Sequence, residues 1–203
     1  MDNQEFIKEI LDGAIMSYKE FNVLPSLTLA QAILESDWGY SDIGNNLFGI
    51  KWTENCGFAK REVPTSEYIN GKMIQVMAYF RIYKDRNESV IDHGNFLATN
   101  SRYQETLKSD TYITACRNIQ KAGYATDPTY ADKLIDIIER YNLNKWDGVE
   151  YKMDKQPLTK EEAKKIVQEK TGFTDATIQY MADDYRFGDA LIIKLATVLQ
   201  GGN

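Results

Sequence analysis

Apolar positions recur with helical spacing along most of the chain, alternate in one stretch, and fade near position 150. Asp2 and Glu5 can form a capping box. Phe6, Ile7, Ile10, Leu11, Ala14 and Tyr18 then repeat at intervals of three and four, which predicts a helix over about 4–20. Residues 25–39 continue the pattern through Leu27, Ala30, Leu34 and Trp38, with Ser26 or Thr28 as the cap and Gly39 as the stop. From 39 to about 61, Gly and Asn are too frequent for regular structure, yet Leu47, Phe48, Ile50, Trp52 and Phe58 predict a packed loop. Residues 63–69 and 72–83 flank Asn70 and Gly71, the dipeptide favoured in two-residue hairpin turns. Such a turn pairs Ile69 with Lys72, Glu67 with Ile74, Thr65 with Val76 and Val63 with Ala78. Glu67 then shares a face with Ile74, Val76, Ala78, Phe80 and Ile82. Helices return at about 86–99, 111–121 and 128–141, the last with Asp127 as cap and Pro128 at its first position.

The pattern fades after Asn142 and restarts at Thr159 to Glu162, a second capping box. Short helical stretches are predicted from there to Gly172, over 175–182 and over 189–200. The division predicted is one domain over 1–145, a linker over 146–157 and a small helical module over 158–203. The last helix carries Leu191, Ile192, Leu195, Val198 and Leu199, and a unit of this length is expected to lack partners enough to bury them. Self-association as a homodimer through that helix therefore leads, followed by docking on the same chain and then by a targeting role.

A formal net charge of −6 on 203 residues, with no basic run, argues against a nucleic-acid partner. No apolar run approaches the length of a membrane span, so membrane insertion is not expected. Thirteen tyrosines suit an uncharged glycan, which is gripped by aromatic faces and hydrogen bonds. One histidine and two distant cysteines cannot make an ordinary zinc site, so neither metal nor cofactor is expected. Cys56 and Cys116 read as two free thiols, and His93 as a satisfied helix residue, since nothing near it completes a nucleophilic set.

Two carboxylates stand out. Glu35 falls in the last turn of the second predicted helix, where the negative end of the helix dipole and burial against Trp38 would disfavour its ionised form. A proton donor wants that setting. Glu67, on an apolar hairpin face, needs either a buried cationic partner or a role as the second acid of a glycosidase pair.

Residues 30–39 (AQAILESDWG) and 45–51 (NNLFGIK) resemble the catalytic core of glycoside hydrolase family 73, the bacterial cell-wall N-acetylglucosaminidases. Residues 65–68 (TSEY), 80–83 (FRIY) and 122–131 (AGYATDPTYA) are similar to the family's further blocks, in the family's order. The resemblance covers about the first 145 residues, and one departure is Asp37, where many members carry a smaller residue. It implies a mainly α fold with a small β-hairpin lobe, lysozyme-like, followed here by the helical module. It also implies hydrolysis of the β-1,4 bond on the reducing side of N-acetylglucosamine in peptidoglycan glycan strands. Glu35 would protonate the leaving oxygen, and Glu67 would activate water or stabilise an intermediate formed by the substrate's acetamido group. Tyr124 would lie in the catalytic cleft, with Trp38, Asn46, Phe48, Asp127 and Tyr130 binding substrate. A lytic transglycosylase or muramidase on the same fold, and a non-catalytic wall-binding module, are the competing readings. The first ten residues lack the features of a secretion signal. The expectation is therefore cytoplasmic synthesis followed by action on the bacterial cell wall, either by phage-type release or as an excerpt of a secreted protein.

Overall fold

The computed structural model describes residues 2–69, 72–148, 159–184 and 188–199, with side chains placed except at 66–69, 182–184, 188–191, 194 and 197. The chain forms two compact units, Met1–Val149 and Glu150–Asn203. In the first, helices α1 (Asn3–Phe21) and α2 (Pro25–Ser36) precede an antiparallel hairpin of β1 (Ala59–Ile69) and β2 (Lys72–Ile82). Then follow α3 (Arg86–Thr99), a short α4 (Gln104–Leu107), α5 (Tyr112–Lys121) and α6 (Tyr130–Tyr141).

Helix α1 starts where the sequence predicts, with the Asp2 and Glu5 capping box in place. Its Phe6, Ile10 and Ala14 are fully buried. It lies close against α3, because a Cβ at Gly94 would sit 2.0 Å from Ser17 Oγ. Helix α2 is buried along almost its whole length and forms the centre of the unit. It has no side-chain cap of its own. Asp147 accepts hydrogen bonds from Ser26 N (2.9 Å) and Ser26 Oγ (2.6 Å) instead, so a carboxylate 121 positions away closes the positive end of the helix. The residues that the sequence reading assigns to the start of a linker are thus held on α2, and Leu143 before them is buried.

Helix α2 ends at Ser36, earlier than Gly39, because Asp37 (φ 48°) and Trp38 (φ 60°) both turn left-handed. Gly39 continues the turn at φ 77°, and there a Cβ would meet the Arg86 guanidinium at 2.6 Å. Asp37 is an exposed non-glycine residue in a conformation that costs L-residues about 1–2 kcal/mol, so Asp37→Gly is expected to stabilise the protein by about 0.5–1 kcal/mol. At this chain length that corresponds to a melting point raised by about 1–4 °C in calorimetry.

The loop after α2 is packed. Arg86 ties it down, donating to Asp42 Oδ2 (2.8 and 3.0 Å), to Gly39 O (2.9 Å) and to Glu9 Oε2 (3.0 Å). Residues 50–52 then run along the free edge of β2, with Arg81 N donating to Ile50 O and Trp52 N to Tyr79 O.

The hairpin has the register expected from Asn70 and Gly71, which themselves lie outside the described residues: Glu67 faces Ile74, Thr65 faces Val76 and Val63 faces Ala78. Its cover does not extend to the tip. Phe80 is buried, Val76 and Ala78 are half-buried, and Ile74 is 40% exposed, so the face carrying Glu67 is apolar in composition but not enclosed at that level. Pairing fixes which residues share a face, whereas enclosure needs a second layer, and the hairpin reaches past its own.

In the second unit, α7 (Lys160–Thr171), α8 (Asp175–Asp184) and α9 (Gly188–Leu199) enclose a small core of Ala163, Val167, Ile178, Ile192 and Ala196. Leu195 and Leu199 pack partly against it, Val198 is 58% exposed, and the Leu191 side chain is outside those described. Part of the apolar face of the last helix therefore finds partners within its own unit. Ala163 of α7 and Ala196 of α9 are fully buried in that core. Cys56 and Cys116 are both buried and unbridged, and burial pushes the Cys116 thiol up to about 12.

Candidate active site

Glu35 sits one residue before the end of α2. Its side chain is exposed to water on one side. Protein packed around the other side excludes enough solvent to raise the carboxyl above the ordinary carboxylate range. A hydrogen bond of 2.6 Å from the Tyr130 hydroxyl to Glu35 Oε1 opposes that shift. With Asp37 and Trp38 turned left-handed, the indole leaves the helical face and packs edge-on against Phe6 (5.9 Å) and Tyr141 (4.8 Å). The helix spacing that set Trp38 above Glu35 assumed a helix two residues longer.

Behind Glu35 lies a connected row of aromatic and polar groups. Gln31, one turn earlier on α2 and fully buried, donates from Nε2 to the Tyr130 hydroxyl at 3.1 Å. The Tyr130 ring stacks on Tyr124 with centroids 5.7 Å apart. The Tyr124 hydroxyl lies 3.3 Å from His93 Nε2, and His93 stacks face to face on Phe48 at 3.9 Å. Burial holds both phenols far above their ordinary range and His93 down to about 3, so all three stay neutral at physiological pH.

Tyr130, expected among the substrate contacts, is the tyrosine that touches Glu35. Tyr124, expected to reach the reacting sugar, is half-buried with its hydroxyl turned inward to His93. Phe48 is buried on His93 rather than offered to a ligand. Asn46 is 2% exposed and closes the loop: both its amide hydrogens go to backbone, to Ile50 O and Arg81 O, and its oxygen accepts from Ile50 N. Asp127 accepts from Thr129 N and Oγ1 and pairs with Lys133, which holds its carboxyl down at about 2. It thus shapes the turn into α6, which begins at Tyr130, two residues after the expected start. The Glu67 side chain lies outside those described. No group of His, Cys, Asp and Glu among the described residues could hold a metal ion, and no described helix is long and apolar enough to cross a membrane.

Gln31 and His93 are the two members of this row that sequence reading leaves out. Gln31 carried a signal, since it lies on the same helical face as Glu35. His93 carried none, being 31 positions from Tyr124.

Residues 11–143 match the family model described as mannosyl-glycoprotein endo-β-N-acetylglucosaminidase. The exo-glucosaminidase LytG of Bacillus subtilis is 39% identical over 156 residues, covering 73% of this chain and 55% of LytG. The peptidoglycan hydrolase FlgJ of Escherichia coli K12 is 35% identical over 146 residues, covering 68% of this chain and 47% of FlgJ. The chain thus spans about half the length of these curated relatives. Among solved structures, the catalytic domain of the autolysin Auto from Listeria monocytogenes superposes with a TM-score of 0.65 at 38% identity, covering 71% of this chain and 87% of that domain. A truncated glycoside hydrolase domain of Salmonella typhimurium FlgJ gives 0.60 at 34% identity, covering 70% and 98%. The mainly helical fold with one two-stranded hairpin is the fold of these glycoside hydrolase domains.

Proposed function

The chain belongs to the glucosaminidase family, and from that premise we propose that it hydrolyses the β-1,4 bond on the reducing side of N-acetylglucosamine in peptidoglycan, acting on the bacterial cell wall. The observation that carries this reading is the Glu35 carboxyl, open to solvent and held by one hydrogen bond, with an affinity for its proton raised by its surroundings. Such a group stays protonated to higher pH than a free glutamate and can donate to the leaving oxygen, a contribution of about 10²–10⁴ in rate. As negative charge builds on Glu35, the Tyr130 hydroxyl already points at Oε1 and steadies it.

Glu67 is the proposed partner. Its place on β1 opposite Ile74 puts it on the projecting half of the hairpin, where it would activate water or stabilise the intermediate formed by the substrate's own acetamido group. Tyr124 is assigned a supporting role: its ring backs Tyr130 and its hydroxyl is anchored on His93. Among the described residues of the second unit, Phe173, Tyr180 and Val198 are larger apolar groups left exposed, and they would contribute to contact with a second copy or with the wall.

The relatives named as peptidoglycan hydrolases and the autolysin support the substrate class. A turbidity assay on purified bacterial cell walls tests it: the suspension should clear on addition of the protein, and no clearing at any pH would count against the reading.

A further inference from the structure

The hydrogen bonds around Glu35 have a direction, and Gln31 sets it. An amide nitrogen can only donate, so the 3.1 Å contact from Gln31 Nε2 occupies the Tyr130 oxygen as acceptor. The hydroxyl's single hydrogen is then free for Glu35 Oε1, 2.6 Å away. Oε1 accepts, and among the described residues Oε2 has no protein hydrogen-bond partner on a side chain that water reaches. Without the amide, protonated Glu35 could turn its own hydrogen onto the Tyr130 oxygen, an arrangement in which the proton faces the protein.

We infer that Gln31 is a positioning residue for the proton donor: by donating to Tyr130 it directs the tyrosine's hydrogen onto Glu35 Oε1 and leaves Oε2 as the oxygen that carries the transferable proton. The inference rests on the reading of Glu35 as the acid. Gln31 is fully buried and among the described residues its own oxygen has no hydrogen-bond partner, an arrangement that packing alone would fill with an apolar side chain. The same hydrogen bond polarises the phenol and makes it a better donor to the carboxylate. Among the described residues, the titratable groups of the row behind Glu35 are Tyr130 at the start of α6 and Tyr124 just before it, with His93 of α3 beyond. The phenols stay protonated and His93 is already neutral above a pH of about 3, so Glu35 is the member of the row that changes charge as pH rises from there.

The test is the titration of Glu35 itself, read by carbon-detected NMR of side-chain carboxyls, with its signal identified by its absence in Glu35→Gln. In Gln31→Met the midpoint of Glu35 should rise. On soluble glycan-strand fragments kcat should fall about tenfold with KM unchanged, and the alkaline limb of the pH profile should move up with the midpoint. Gln31→Glu, closest in shape, should lose more than Gln31→Met, because an acceptor at 31 draws the Tyr130 hydrogen away from Glu35. It also serves if the Met variant does not fold. A Glu35 midpoint unchanged in both variants overturns the inference, as does wild-type turnover in Gln31→Glu. The titration does not require activity. An inactive wild-type protein whose Glu35 midpoint still responds to position 31 would defeat the reading of function and leave this hydrogen-bond direction standing.

Discussion

Glu35→Gln should lower turnover on cell-wall glycan by about 10²–10⁴ while the circular dichroism spectrum and melting temperature stay at wild-type values or rise slightly. The amide is nearly isosteric with the carboxyl and still accepts the Tyr130 hydroxyl, so the row behind it keeps its geometry. It has no acidic proton to give. Stability is not expected to drop, because the surroundings already disfavour the charged form that the substitution removes. The wild-type rate should fall as pH rises through the raised Glu35 value, since the acid must be protonated to act, and this alkaline limb should be absent from the residual activity of the variant. Wild-type rates in a folded Glu35→Gln protein would move the acid elsewhere.

Acid should unfold this protein through His93. The ring is fully buried between Phe48 and Tyr124, and burial holds it at about 3 against an ordinary value of 6.5. A folded-state value below the unfolded one means that the unfolded chain binds the proton first. Stability is therefore complete above about pH 6.5 and declines as pH falls toward 3, by about 1.4 kcal/mol per pH unit. The whole window amounts to roughly 4–5 kcal/mol, a large part of the 5–15 kcal/mol of a typical domain. His93 is the only histidine, so between pH 6.5 and 5 its effect is separable from that of ordinary carboxylates. Urea melts at half-unit steps should show this decline in the wild type and its loss in His93→Gln. A stability that is flat from pH 7 to 5 in the wild type would mean that the ring is reached by water.

The elements that sequence reading places well are those announced by local signals. The Asp2 and Thr159 capping boxes, the Asn70 and Gly71 register and the apolar repeat of α1 each depend on residues a few positions apart. The end of α2 was not legible, because Asp37 and Trp38 adopt left-handed backbone without being glycine, and nothing local announces it. That single turn decides where Trp38 goes, onto Phe6 and Tyr141. The catalytic candidate Glu35 was legible as a residue type in a motif, whereas its surroundings were not: Gln31, Tyr130, Tyr124 and His93 join three separate segments, with up to 99 positions between bonded partners. The same holds for Asn46 and Phe48, whose composition suggests a ligand-facing loop and whose contacts turn both inward. In the C-terminal unit, the partners that Ile192 and Ala196 find, Ala163 and Ile178, lie on other helices and are not marked by local spacing.

The most direct measurement of the proposed reaction is the identity of the new reducing end. Purified peptidoglycan is digested to completion with the wild-type protein, the products are reduced with borohydride, and the reduced sugars are identified by mass spectrometry. Reduced N-acetylglucosamine at the newly formed ends, absent from a parallel digest with Glu35→Gln, is the expected result. Reduced N-acetylmuramic acid or an anhydro sugar in its place would contradict it.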